Sequence, residues 1–156
     1  LAFGSNVGDR RLNLNKSLKL LNKYISILRQ TAWRETKPLT HPDYYTDDHE
    51  NYVNFVCVAE SNFKPDELYR VISEIEDLIG HPRERRWMPR SLDIDILFCA
   101  ESECKPFSQC KPYPYKKAPD FYVPHKEYFK RAFWRDMVEK ELNISEDLLS
   151  QHFKVD

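Results

Sequence analysis

The spacing of apolar residues along this chain changes period several times, and each change marks an element. Leu1 to Phe3 form a short apolar run that predicts a buried strand already under way, with a few residues expected upstream, and the loop Gly4-Ser5-Asn6-Val7-Gly8-Asp9-Arg10 follows. Beyond Asp9, a residue suited to an N-cap, Leu14, Leu18, Leu21 and Ile25 recur at helical spacing and predict an amphipathic helix ending near 22–24. Ser26 to Thr36 and Tyr52 to Glu60 are rich in β-branched and aromatic residues and predict two antiparallel strands. The polar, turn-rich stretch from Leu39 to Asn51 predicts a long mobile loop between them. Pro65 suits a first helical turn, and Leu68, Val71, Ile72, Ile75, Leu78 and Ile79 make a helical stripe closed by Gly80. Leu92, Ile94, Ile96 and Phe98 then face one way in a strand whose other face carries Asp93 and Asp95.

The resulting order is strand, helix, strand, strand, helix, strand. That predicts an α+β fold with a ferredoxin-like βαββαβ core: an antiparallel sheet, both helices on one face, and the opposite face open for a site. From Cys99 to Tyr122, four prolines interleaved with lysines and aromatics predict an irregular loop or hairpin insertion, read as either a solvated loop or an anion-binding one. Arg131 to Leu142 and Ser145 to Phe153 predict two short helices as a C-terminal extension, with Ser145 as an N-cap. No internal repeat is visible, and residues 1–156 are expected to form a single domain.

Composition narrows the function classes. A net charge of −1 over 156 residues gives no global bias toward nucleic acid or anionic membranes, so any basic site must be local. No apolar run approaches the roughly 20 residues that span a bilayer and no signal-peptide pattern opens the chain, which leads to an expected cytoplasmic location. Cys57, Cys99, Cys104 and Cys110 lack C-x-x-C spacing and are expected to be reduced thiols rather than metal ligands. With only three glycines, Gly4, Gly8 and Gly80 are each expected where a side chain would be awkward.

Candidate chemistry concentrates between Arg83 and Asp95. On a strand, Asp93 and Asp95 project from the same face with Cα atoms about 6.5–7 Å apart. Two like charges on one face of an apolar strand need either a shared divalent cation such as Mg²⁺ or nearby arginines in a solvent-washed ion network. Arg83, Arg85, Arg86 and Arg90 supply positive charge that a metal and carboxylates alone do not require. A metal-bound polyphosphate would satisfy both halves, and a plain salt-bridge network remains the alternative. Tyr52 and Asn54 share another strand face and offer a stacking surface beside an amide, suited to a heteroaromatic ligand or simply to an exposed surface. His125 and Arg131 form a late cationic pair with a functional or a structural role.

These motifs together resemble the 6-hydroxymethyl-7,8-dihydropterin pyrophosphokinase family of folate biosynthesis. The resemblance runs through GSNVGDR, Thr36 with Pro38-Leu39, Tyr52-Val53-Asn54, Ile75-Glu76 with Gly80, Arg86-Trp87-Met88-Pro89-Arg90, Leu92-Asp93-Ile94-Asp95-Ile96-Leu97, and Val123-Pro124-His125 with Arg131 and Phe133. It implies transfer of a diphosphate unit from ATP to the hydroxymethyl oxygen of the pterin, with AMP released. It further implies that Asp93 and Asp95 hold two Mg²⁺ ions. The pterin would stack between Tyr52 and Phe133 and be read by Asn54 and by the segment around Thr36, Pro38 and Leu39. Glu76, Arg83, Arg86, Trp87, Arg90, Ile96, His125 and Arg131 would grip ATP. His81 stands where many members carry a catalytic arginine, and Met88 replaces a usual glycine. Lys37 replaces a common proline, and Lys126 stands where a proline or an aromatic often follows the histidine.

The small-molecule substrates are then the expected partners, with fusion to or association with other folate-pathway enzymes as a further expectation. Two rival readings stand beside this one. The first is a homologue that binds ATP or pterin for regulation or assembly without catalysis. The second is a nucleic-acid-binding ferredoxin-like domain, which the charge balance disfavours and which leaves Asp93 and Asp95 unexplained.

Overall fold

The computed structural model describes residues 1–40, 42–43, 45–46, 48–80, 88–101, 110–117 and 121–152. The predictions for His81, Arg83, Arg85, Arg86, Trp87 and Cys104 lie outside these residues.

Strand β1 (Ala2–Ser5) is buried along its whole length and leads into helix α1 (Arg10–Leu21). Asp9 caps that helix by accepting the Leu12 N–H at 2.9 Å. Strands β2 (Ser26–Gln30) and β3 (Arg34–Thr36) both pair antiparallel with β4 (Tyr52–Glu60). The single strand predicted over Ser26–Thr36 is therefore broken in two. A register shift falls between Ile27 and Arg29, and Thr31 closes the break by giving its N–H to the Val56 carbonyl while its hydroxyl accepts the Val56 N–H at 3.0 Å. Helix α2 (Pro65–Ile79) starts at its proline, with Glu67 accepting the Lys64 N–H, and ends on Gly80 at φ +115°. Strand β5 (Asp93–Asp95) completes a sheet of order β2-β4-β1-β5, with β3 extending the β2 edge along β4. This is the expected ferredoxin-like order.

One face of the sheet carries the helices. Phe3 and Phe55 face each other in register there and stack at 4.4 Å, with Trp33 stacked on Phe55. Leu14, Leu21, Ile72, Ile75, Leu92, Ile94 and Ile96 pack around them. Leu78 departs from the predicted stripe and is 72% exposed, because it falls on the edge of the helix that turns from the sheet. The insertion contributes a hairpin, β6 (Tyr115–Lys117) with β7 (Phe121–Val123), whose Phe121 stacks on Tyr69 of α2 at 4.5 Å.

The other face is only partly open. A short 3₁₀ turn (Tyr128–Lys130), helix α3 (Ala132–Asp136), a π-helical turn (Met137–Glu141) and helix α4 (Glu146–His152) cover it. Tyr128, Trp134, Met137, Val138, Leu142 and Leu149 form a second core there against Ala2, Val56 and Leu97. Phe98 packs into this second core, edge-on to Tyr128, so the alternation predicted from Leu92 to Phe98 holds only as far as Leu97. Ser145 begins α4 as expected, accepting the Leu148 N–H with its hydroxyl.

Pairing across the sheet sets one row that matters for the site. Arg34 pairs with Asn54, Asn54 with Gly4, and Gly4 with Asp93, so these four residues lie side by side on the face shared with α3. The uncovered part of that face is the floor of a cavity.

Candidate active site

The row is possible because its central residue has no side chain. A Cβ on Gly4 would sit 3.0 Å from Asn54 Oδ1 and 3.3 Å from Tyr52 Cδ1, so glycine lets both side chains lie across β1. Asn54 is buried and donates its amide N–H to the Thr36 hydroxyl at 2.7 Å. That bond fixes the amide with Oδ1 lying over Gly4. Burial pushes the Tyr52 phenol above its ordinary pKa, and Asp93 adds to the shift, so the ring stays neutral.

Asp93 and Asp95 face the same cavity. Arg90 Nη1 binds Asp93 Oδ1 at 2.7 Å. Burial works against the Arg90 charge, but the adjacent Asp93 outweighs it and raises the guanidinium pKa. Asp95 Oδ1 lies 3.4 Å from His125 Nε2, and its Oδ2 lies 3.9 Å from Arg131 Nη1. Burial alone would raise the Asp95 carboxyl, but hydrogen bonding with His125 and the charges of Arg131 and Arg90 hold it below its usual range, as a carboxylate. His125 Nδ1 accepts the Glu127 N–H at 3.3 Å, which leaves Nε2 as the nitrogen that carries hydrogen toward Asp95. Arg131 lies 4.1 Å over the Trp134 ring, and its Nε is buried without a hydrogen-bond partner among the described residues. The part of the guanidinium that reaches the cavity suits a phosphate oxygen.

All these groups line one cavity of about 320 Å³. Of the predicted site residues, Thr36, Pro38, Leu39, Tyr52, Asn54, Arg90, Asp93, Asp95, His125, Arg131 and Phe133 converge there. Glu76 and Ile96 do not. Ile96 points into the helix-side core, in line with Leu92 and Ile94, and Glu76 is buried with its Oε1 accepting the Ile94 N–H at 2.7 Å. Glu76 therefore supports the strand bearing the carboxylates rather than lining the cavity. A larger cavity of about 540 Å³, at the other end of the sheet between Leu1, Val58, Phe98 and Val138, contains none of the predicted site residues.

The structure also adds residues to the site. His49, Lys126, Glu127 and Trp134 line the cavity. Buried Asn6 ties its rim together: Oδ1 accepts the Arg90 N–H at 2.7 Å, and Nδ2 donates to the Glu50 carbonyl at 3.2 Å. Asn6 had a sequence signal only as part of a glycine loop; its partner Arg90 lies 84 residues away.

Among the described residues no three histidine, cysteine, aspartate or glutamate side chains converge as a metal cage. Two carboxylates on one strand face are the donor set that suits Mg²⁺ when substrate phosphates and water supply the remaining ligands. Cys57, Cys99 and Cys110 are free, and burial pushes the Cys99 thiol up to about 11.

The fold and cavity together suit a domain that transfers phosphate from a nucleotide to a small planar acceptor. Residues 1–140 match the family model of 7,8-dihydro-6-hydroxymethylpterin-pyrophosphokinase (HPPK), and the chain belongs to that family. It is 30% identical to the 2-amino-4-hydroxy-6-hydroxymethyldihydropteridine pyrophosphokinase of Aquifex aeolicus, over 79% of this chain and 74% of that protein. The enzyme of the same name from Bacillus subtilis is 28% identical over 73% of this chain and 66% of its own length. A mitochondrial folate synthesis bifunctional protein of Pisum sativum is 33% identical over 85% of this chain, which spans 23% of that protein. No helix among the described residues is long and apolar enough to cross a membrane.

Proposed function

We propose that this chain transfers a diphosphate group from ATP to the hydroxymethyl oxygen of 6-hydroxymethyl-7,8-dihydropterin, releasing AMP. The observation that carries this reading is the adjacency of Asn54 and Asp93 on either side of Gly4, which puts a ring-reading amide next to a carboxylate pair in one cavity. The pterin ring would lie between Tyr52 and Phe133, with Asn54 Oδ1 accepting from the ring and Thr36 holding the amide in that orientation. Leu39 and Pro38 close the same side. Arg90, Arg131 and His125 would bind phosphate oxygens, with Arg83, Arg86 and Trp87 completing the nucleotide side.

Asp93 and Asp95 are the residues that would hold Mg²⁺, two ions being expected with ATP. When bound, Mg²⁺ neutralises charge on the nucleotide and polarises its phosphoryl oxygens. In the transfer, the bond from the hydroxymethyl oxygen to the β-phosphorus forms as the bond from that phosphorus to the α–β bridging oxygen breaks, leaving AMP, and the hydroxyl proton is released to solvent. Placement of the acceptor oxygen and charge stabilisation by Arg90 and Arg131 carry this chemistry, and no side chain is assigned as general base. The loop over 39–51, anchored through Asn6 to Glu50, would keep water from competing as acceptor. Residues 1–156 act as one catalytic domain in this reading, and the bifunctional relative makes fusion to a second folate enzyme part of the same proposal.

An assay of pterin-dependent AMP formation, paired with calorimetry using a non-hydrolysable ATP analogue and Mg²⁺, tests the proposal. Nucleotide binding without pterin-dependent AMP would leave only the binding role. Asp95→Asn is expected to lower turnover by a factor of about 100 or more with native far-UV circular dichroism, as expected for loss of one of the two carboxylates that would hold Mg²⁺.

A further inference from the structure

We infer that Arg34 is a positioning residue that holds the aromatic wall of the pterin-side pocket against its amide wall; the inference rests on the function proposed above. Arg34 lies on β3 two residues before Thr36, so both side chains leave the strand on one face, and it pairs directly with Asn54. Its guanidinium reaches across to the C-terminal segment. Nη1 donates to Asp136 Oδ2 at 2.5 Å, and Nη2 donates to Glu141 Oε1. Glu141 is gripped twice more from the same edge: its Oε2 accepts the Ala32 N–H at 2.6 Å, and its carbonyl accepts from Arg29 Nη2 at 3.2 Å. Asp136 lies one helical turn beyond Phe133, which lines the cavity.

The π-helical turn makes this two-carboxylate grip possible. Asp136 and Glu141 are five residues apart, which would set them about 140° apart around a straight α-helix of 3.6 residues per turn. The widened turn, marked by the Leu142 N–H to Met137 carbonyl bond, brings residues five apart toward one side. A planar guanidinium fork then meets both carboxylates, a geometry that the point charge of a lysine cannot copy. Lys140 also pairs with Asp136, but from the helix itself, so it does not link the two walls. The Arg34 pairs are partly exposed and contribute little to global stability. Burial of Trp134, Met137 and Val138 keeps the helix on the sheet in any case. The fork fixes where Phe133 stands relative to Asn54 and Thr36.

The test uses the full chain with three substitutions. Arg34→Met is expected to raise the KM for the pterin by about fivefold or more, with the affinity for an ATP analogue and Mg²⁺ changed by less than about twofold. Arg34→Lys should recover part of that loss. Arg135→Met breaks the Arg135–Glu146 pair between α3 and α4 without touching the strand edge, and should leave the pterin KM unchanged. Hydrogen exchange of the amides of residues 132–136 reads the clamp without substrate, and should quicken in Arg34→Met while β1 and β4 keep their protection. Unchanged exchange, an unchanged pterin KM, or equal losses for pterin and nucleotide would overturn the inference. Absence of pterin-dependent AMP from the unsubstituted chain would overturn the proposed function, while the exchange measurement still decides the clamp.

Discussion

At the scale of single residues, the site depends on groups that are small or indirect as much as on charged ones. Gly4→Ala puts a methyl group 3.0 Å from Asn54 Oδ1, inside ordinary contact distance, and must displace the amide or Tyr52. The expected outcome is a raised pterin KM with little change in nucleotide affinity, measured by steady-state kinetics with each substrate varied. Arg90 has a different part. Its pair with Asp93 holds the guanidinium at the cavity, and under the proposed function it would act as phosphate charge redistributes. Arg90→Ala is expected to lower kcat far more than it weakens ATP binding; equal losses would reassign Arg90 to ground-state binding. The carboxylate pair and the Tyr52–Asn54 pair were legible in the sequence because strand alternation alone puts each pair on one face. Glu76 and Ile96 stand apart from the cavity at this scale. The resemblance supplied a role for each, whereas the burial of Ile96 and the Glu76 bond to the Ile94 amide follow from α2 packing on β5.

At the scale of elements, the structure departs from sequence periodicity where a side chain substitutes for backbone pairing. Thr31 reads as an ordinary strand residue, yet its hydroxyl accepts the Val56 N–H and splits the edge into β2 and β3. Thr31→Val keeps the shape and leaves that buried N–H without its acceptor. It should destabilise the fold by about 1–3 kcal/mol in thermal or urea denaturation, and a change well below that range would mean that the edge re-pairs. The helix carrying Phe133 is joined to this edge by charge. Hydrogen bonds from Lys140 and Arg34 hold the Asp136 carboxyl below its ordinary range. A carboxyl depressed in the folded state contributes stability above its unfolded pKa, and that contribution is lost as pH falls through the folded value. Hydrogen exchange at residues 132–136 should therefore quicken as pH is lowered below about 4, once corrected for intrinsic rates, and Asp136→Asn should weaken that dependence, the Glu141 pair with Arg34 accounting for what remains. The Arg34 grip has no local signal, because Asp136 and Glu141 lie 102 and 107 residues from Arg34.

At the scale of the whole molecule, two cores share one sheet, and the site occupies the part of the second face that the C-terminal helices leave uncovered. The βαββαβ order was readable because each helix and strand announces itself by its own period. How far the C-terminal segment would cover the open face was not readable: Trp134, Met137 and Leu149 look like generic apolar residues until they meet Ala2, Val56 and Leu97. The row Asn54–Gly4–Asp93 follows from that sheet, and it acts as a ruler. Its two ends are separated by two strand spacings, about 9.5 Å, a length set by backbone hydrogen bonding and beyond the reach of any one side chain to adjust. A slip of β1 by one residue would not stretch the ruler; it would turn Phe3 into the cavity and end function outright. Gradual change in what this chain accepts must therefore enter at the rim, through the loop over 39–51 and the helix that Arg34 holds, while the span between ring and carboxylates stays constant.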